Sequence, residues 1–137
     1  NSNDADVNKG KQVFKDIACA GCHIPSLKTG HSDIDALSNK TFYPYTDLLL
    51  HDMGNELDDK YTEGTALYSE WRTTPLWGLG LGTSSQGGKL YLMHDGRAKT
   101  IEEAIEFHGG EADNSRVKFR NLSKQDKDRL IKFLMSL

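Results

Sequence analysis

No apolar run in this 137-residue chain approaches the length needed to cross a bilayer. A spanning helix takes about 20 consecutive apolar residues, and the longest candidate here, Leu48-Leu49-Leu50, is flanked by charge. No membrane span is expected. Nor is there a basic stripe: 17 Lys and Arg against 20 Asp and Glu give a net charge of -3, with the two signs interspersed. A phosphate backbone needs a concentrated positive face, so nucleic acid is excluded as an expected partner. The chain opens at Asn1 with neither a Met nor an apolar signal segment, and is read as a processed mature protein or a domain of something longer. Internal repeats, linkers and low-complexity stretches are missing too, so residues 1–137 are expected to fold as one domain around one core.

Cysteine is the scarcest informative residue. There are two, in the pentapeptide Cys19-Ala20-Gly21-Cys22-His23. A redox dithiol, a disulfide loop or half of a zinc site has no need of the adjoining His. Two thiols at this spacing can add across the vinyl groups of one haem edge, and the next residue then supplies an axial imidazole. The reading is one covalent haem c held by Cys19 and Cys22 with His23 on the iron. Such attachment takes place in an oxidising, extracytoplasmic compartment, so a periplasmic or extracellular location is expected.

Periodicity places helices at both ends. Val7, Gly10, Val13, Phe14 and Ile17 recur every three to four residues behind Asp4 or Asp6 as N-cap, and Leu130, Phe133, Leu134 and Leu137 stripe a last helix capped by Ser123. These helices are expected to pack together, with Gly10 at a close approach. Thr46 is read as capping a short helix from Asp47 to about Met53, ended by Gly54. Thr100-Ile101-Glu102-Glu103 reads as a capping box for another that Gly109-Gly110 ends. From Asn55 to Lys99 the glycines, among them Gly78, Gly80, Gly82, Gly87, Gly88 and Gly96, argue for loop wrapped around a cofactor. The fold class expected is all-α and cytochrome c-like.

The sixth iron position decides what such a haem does. Met53 and Met93 are candidates as thioether ligands, or packing residues near the haem. His31 reads as a surface residue, His51 as a helix-end hydrogen bonder, and His94 as part of a turn with Asp95 and Gly96. His108 falls in register with Ile101, Ala104 and Ile105 on the apolar face of its helix, while Glu102, Glu103 and Glu106 point elsewhere. It is either a core His satisfied by a carbonyl or an iron ligand. Trp71, Arg72 and Trp77 supply hydrogen-bond donors suited to haem propionates, or simply packing, and Arg97 is a further donor or a turn residue.

The motifs Tyr45-Thr46-Asp47-Leu48-Leu49-Leu50-His51-Asp52-Met53-Gly54, Trp71 to Gly80, His94-Asp95-Gly96-Arg97-Ala98 and His108-Gly109-Gly110-Glu111-Ala112 follow the Cys pentapeptide in order. Together they resemble the C-terminal haem domain of the di-haem oxidoreductases labelled thiol oxidoreductase-like, a family similar to the bacterial di-haem cytochrome c peroxidases. The resemblance runs from about Gly10 to Leu137. It implies a distal ligand at a fixed interval beyond the His-Asp-Gly turn, here 108 − 94 = 14 positions, where the related peroxidases usually carry Met. His108 is accordingly the expected sixth ligand. Those families have two haem domains and this chain one attachment motif. The principal expectation is therefore a single-electron transfer module with six-coordinate low-spin iron and no catalytic residue of its own, meeting a redox partner protein or a neighbouring redox domain. The alternative is the haem-bearing half of a di-haem peroxidase-like oxidoreductase.

Overall fold

The computed structural model describes residues 3–137, so the first two residues of the expected domain lie outside it. Helix α1 runs Ala5–Asp16, and its N-cap is Asp4, whose carboxylate accepts from the Asp6 and Val7 N–H groups. Helix α5, Lys124–Leu134, starts the same way, with the Ser123 hydroxyl accepting from Asp126 N–H. The two pack face to face. A Cβ on Gly10 would overlap the Arg129 carbonyl and lie 2.8 Å from Phe133 Cβ, so only glycine permits this approach. Phe14, Leu130, Phe133 and Leu134 form the centre of the core. Arg129 reaches Asp6 at 3.2 Å and Lys132 reaches Asp4 at 2.8 Å along the rim of the contact.

Between these ends the chain is irregular, with two small antiparallel sheets. Strands β1 (Leu27–Lys28) and β2 (Thr41–Phe42) pair with each other. Strands β3 (Leu50–Asp52) and β4 (Glu70–Arg72) pair with Leu50 opposite Arg72 and His51 opposite Trp71. All-α is thus too strict: the fold is mainly helical with two short ribbons. The helix expected over 47–53 is instead a turn leading into β3. Thr46 does not cap it. Its buried hydroxyl donates to the Thr73 carbonyl at 2.6 Å and accepts from Leu48 N–H at 2.9 Å, which ties the turn to the segment after β4.

A short helix α2 (Gly82–Ser85) follows, in a stretch from 55 to 99 that is otherwise mostly loop, as expected. Helix α3, Ile101–Glu106, begins at the Thr100 cap, whose hydroxyl accepts from Glu103 N–H; the Glu103 carboxylate reaches back to Lys99 N–H, one residue earlier than a capping box would place it. Helix α4, Asp113–Arg120, was not anticipated from periodicity. It is polar except for Val117 and Phe119, and Phe119 alone is buried.

Candidate functional site

The core continues into the site through three rings. Phe14 meets Phe133 edge-on at 5.5 Å and Tyr45 at 6.0 Å, and on its other side lies 6.4 Å from the His23 ring. Tyr45 is buried and its backbone is left-handed, with φ +55°. A bulky residue there is strained by about 1–2 kcal/mol. What it secures is visible: the Tyr45 carbonyl accepts from His23 Nδ1 at 3.0 Å. That hydrogen bond fixes the ring and leaves Nε2 for another partner.

His108 is held in the same way from the opposite side. Helix α3 ends one residue short of Phe107, and His108 N–H bonds the Ile105 carbonyl three residues back. The His108 Nδ1 lies 2.7 Å from the Ala104 carbonyl, which it satisfies with a side-chain hydrogen bond. Here too Nε2 is left. The His23 and His108 rings face each other with centroids 6.4 Å apart and planes at 43°. An imidazole nitrogen sits about 2 Å from a metal it binds and about 1 Å from its own ring centre, so two imidazoles across one iron have centroids roughly 6 Å apart. The pair fits a shared iron. Burial pushes the His23 pKa down to about 4 and lowers that of His108 as well, which keeps both rings in the neutral form a metal ligand needs.

The cysteines lie beside this pair. Cys19 and Cys22 are half-buried free thiols at the short 3-10 turn Cys19–Gly21 that follows α1. Burial pushes Cys19 up to about 11 and raises Cys22, so neither is the low-pKa thiolate of a redox dithiol. The donor set of two adjacent thiols and two facing neutral imidazoles suits a c-type haem. Cys22, Asp47 and His51 also present ligand atoms within 4.8 Å of one another. Both His51 nitrogens, however, already meet carboxylates: Asp47 at 2.8 Å and Glu111 at 2.9 Å.

The other candidates spread around the site. Met53 and Met93 are half-buried, Met53 in the close contact between residues 52–54 and Gly109-Gly110, and Met93 in a left-handed turn at φ +69°. Of the four donors proposed for propionates, Trp71 gives its indole N–H to the Leu57 carbonyl at 3.0 Å and stacks on His94 at 3.5 Å. Arg72 is exposed on β4, and exposed Trp77 packs against Phe42. Arg97 is bound to Asp95 at 2.6 Å and to the Glu56 carbonyl at 2.7 Å. His31 is exposed beside Ser38, as expected of a surface residue. Sequence reasoning missed Glu111 and Arg116. Arg116 bonds Asp113, Glu56 and the Glu106 carbonyl, bracing the end of α3 next to His108. The partners that give them their place are remote in sequence: Glu111 and His51 are sixty positions apart, as are Arg116 and Glu56.

Fold and site together define a small, mainly helical protein with a Cys-x-x-Cys-His motif beside a facing histidine pair. The chain belongs to the di-haem oxidoreductase family: the family model described as "Di-haem oxidoreductase, putative peroxidase" matches residues 1–137. Haem is therefore the cofactor of its family. In fold it is similar to a solved chain of hydrazine synthase from Kuenenia stuttgartiensis, with a TM-score of 0.53 at 16% identity, over 98% of this chain and 46% of that one. This chain thus spans less than half of that neighbour. No curated protein matches it. Of the two functional expectations, the family favours the haem-bearing half of a di-haem oxidoreductase over a mono-haem single-electron transfer module. No helix among the described residues is long and apolar enough to cross a membrane.

Proposed function

We propose that this chain is the electron-relay half of a di-haem oxidoreductase, carrying one haem c in a single c-type cytochrome domain. Cys19 and Cys22 would hold the haem covalently, and His23 and His108 would supply its two iron ligands. The observation that carries this reading is the facing pair of imidazoles, each anchored through Nδ1 to a backbone carbonyl. When bound, the haem supplies a one-electron ferric/ferrous couple. The residues around it do the rest. Tyr45 and Ala104 orient the two rings, and the Phe14, Tyr45 and Phe133 rings keep water from the His23 side. With both positions taken by strong ligands, peroxide cleavage belongs to a second haem centre, on a neighbouring domain or partner, to which this chain passes single electrons. His108 in place of a thioether favours ferric iron, so the potential lies below that of a His/Met cytochrome. Haem attachment places the protein in an oxidising extracytoplasmic compartment.

The test is the absorption and EPR spectrum of the oxidised protein. A low-spin bis-imidazole signal is expected, and the long-wavelength band of a thioether–iron bond would exclude His108. His108→Met should bring that band in and raise the potential, while Met53→Leu and Met93→Leu leave the spectrum as it was. Acid-acetone extraction should leave the haem on the polypeptide. Rapid peroxide turnover by the chain alone would overturn the relay reading.

A further inference from the structure

The two histidine carriers are joined by a third histidine. Asp47 lies two residues beyond Tyr45, whose carbonyl holds His23, and Glu111 lies three residues beyond His108. His51 bridges them, with Nε2 2.8 Å from Asp47 Oδ2 and Nδ1 2.9 Å from Glu111 Oε2. The second Glu111 oxygen accepts from Asp52 N–H at 3.0 Å, so this one side chain grips β3 twice. Beneath it the backbones touch. A Cβ on Gly109 would come within 2.9 Å of the Met53 carbonyl, and one on Gly110 would lie 2.7 Å from Gly54 N and overlap the Asp52 carbonyl. The turn after His108 is therefore clamped to β3 by close glycine packing below and a doubly bonded carboxylate above.

We propose that His51 is a positioning residue: the Asp47–His51–Glu111 clasp sets the separation of the His23 and His108 rings and keeps His108 on the iron. This rests on the reading of His23 and His108 as an axial pair. The clasp makes no hydrogen bond to the His23 or His108 side chain. Its effect passes through two backbone segments, from His51 through Asp47 to the Tyr45 turn and through Glu111 to the Gly109-Gly110 turn. A clasp of this kind decides whether the sixth position can be vacated, because His108 can leave the iron only if the 109–111 turn moves away from β3. Arg116 holds the other side of the same segment through the Glu106 carbonyl, so movement is confined to the turn that His51 secures.

The experiment compares carbon monoxide binding to the reduced, haem-loaded chain and the EPR of the oxidised chain across variants. In wild type, carbon monoxide binding should be limited by departure of His108. His51→Leu and Glu111→Ala should each speed it by about tenfold, the factor that corresponds to about 1.4 kcal/mol, and should raise a high-spin EPR signal. His51→Gln, which retains one donor, should fall between them and wild type. If His51→Leu fails to mature, Glu111→Ala and Asp47→Asn carry the same comparison. Ser123→Ala weakens the fold at the N-cap of α5, away from the rings that meet His23, and should leave the rate unchanged. Rates within twofold of wild type in the clasp variants, or an equal acceleration in Ser123→Ala, overturn the positioning role. A wild-type spectrum that is not bis-imidazole removes the axial pair itself and is seen before any variant is made.

Discussion

Where α1 meets α5, Phe14, Leu130, Phe133 and Leu134 are almost wholly buried and two caps and two ion pairs close the edges. Between residues 24 and 91, by contrast, the chain leaves Tyr43, Leu48, Leu49, Leu50, Leu67, Trp77 and Leu81 each about half or more exposed. Leu48, in addition, is left-handed at φ +64°. Three consecutive exposed leucines are a fault in a self-sufficient domain unless they serve a function. The end region has its own core. The middle is held by hydrogen bonds, tight glycine contacts and strained turns, an arrangement that makes sense if a haem provides the apolar surface the segment lacks. The same division separates tasks: the terminal helices buttress Tyr45 and so His23, and the middle positions everything else.

The strongest way to break this comparison is to withhold the haem. In Cys19→Ala/Cys22→Ala protein, amide hydrogen exchange should show α1 and α5 still protected and residues 24–91 exchanging close to the unfolded rate, since local stability follows local burial. Uniform protection across both regions would show that the middle folds unaided. Next in size is damage to the ends alone. Leu130→Ala removes a fully buried side chain and should lower stability by about 2–5 kcal/mol, read from denaturant unfolding, with the Soret spectrum of the folded protein unchanged.

How much could be seen beforehand divides along the same line. Helices α1 and α5, their caps Asp4 and Ser123, and the close approach at Gly10 were legible because cap, stripe and glycine are local patterns. The strand β3 was not: Leu48-Leu49-Leu50-His51 is a short apolar run whose periodicity suits helix or strand equally, and its partner Glu70–Arg72 lies some twenty positions on. Helix α4 escaped notice because its stripe is a single buried Phe119. In the site, the Cys19 to His23 pentapeptide and the inward face of α3 were readable, and the fold brings His23 and His108 together. Glu111 was read only as part of a family motif. Its partner His51 is sixty positions away, and only the fold joins them. Gly109-Gly110 was legible as a helix end but not as a surface for β3, since close backbone approach leaves the same glycines in the sequence.

Gly110→Ala tests that surface directly and sits between the larger and smaller effects. Residue 110 has φ +53°, and a methyl group there meets the Asp52 carbonyl and Gly54 N. Both the conformation and the overlap oppose it, at a cost of about 1–3 kcal/mol. Unlike Leu130→Ala, this change should move the EPR spectrum, because the backbone that must yield carries His108. A stability loss without spectral change would mean that the turn relaxes away from β3 independently of the ligand.

The smallest expected effect is a pH dependence confined to the clasp. His51 has its pKa raised, first by Glu111 and then by Asp47, while Glu111 is lowered, first by its bond to His51. Cys22, His23 and Asp52 are the other titratable groups that interact with these three. A histidine whose folded pKa exceeds its unfolded value, about 6.5, stabilises the fold in full below that value and loses the contribution as pH rises through the folded pKa. Glu111 has the opposite sign: its contribution is present above about pH 4.3 and disappears as pH falls through its lowered folded pKa. Wild type should therefore exceed His51→Gln in stability most clearly near pH 5 to 6, where both groups are charged in the fold, with the gap narrowing toward alkaline pH and again in strong acid. Denaturant unfolding of the two proteins across that range measures it. A gap that widens above neutrality would mean that His51 is held neutral, donating to one carboxylate only, and that the grip on Glu111 is weaker than the 2.9 Å separation implies.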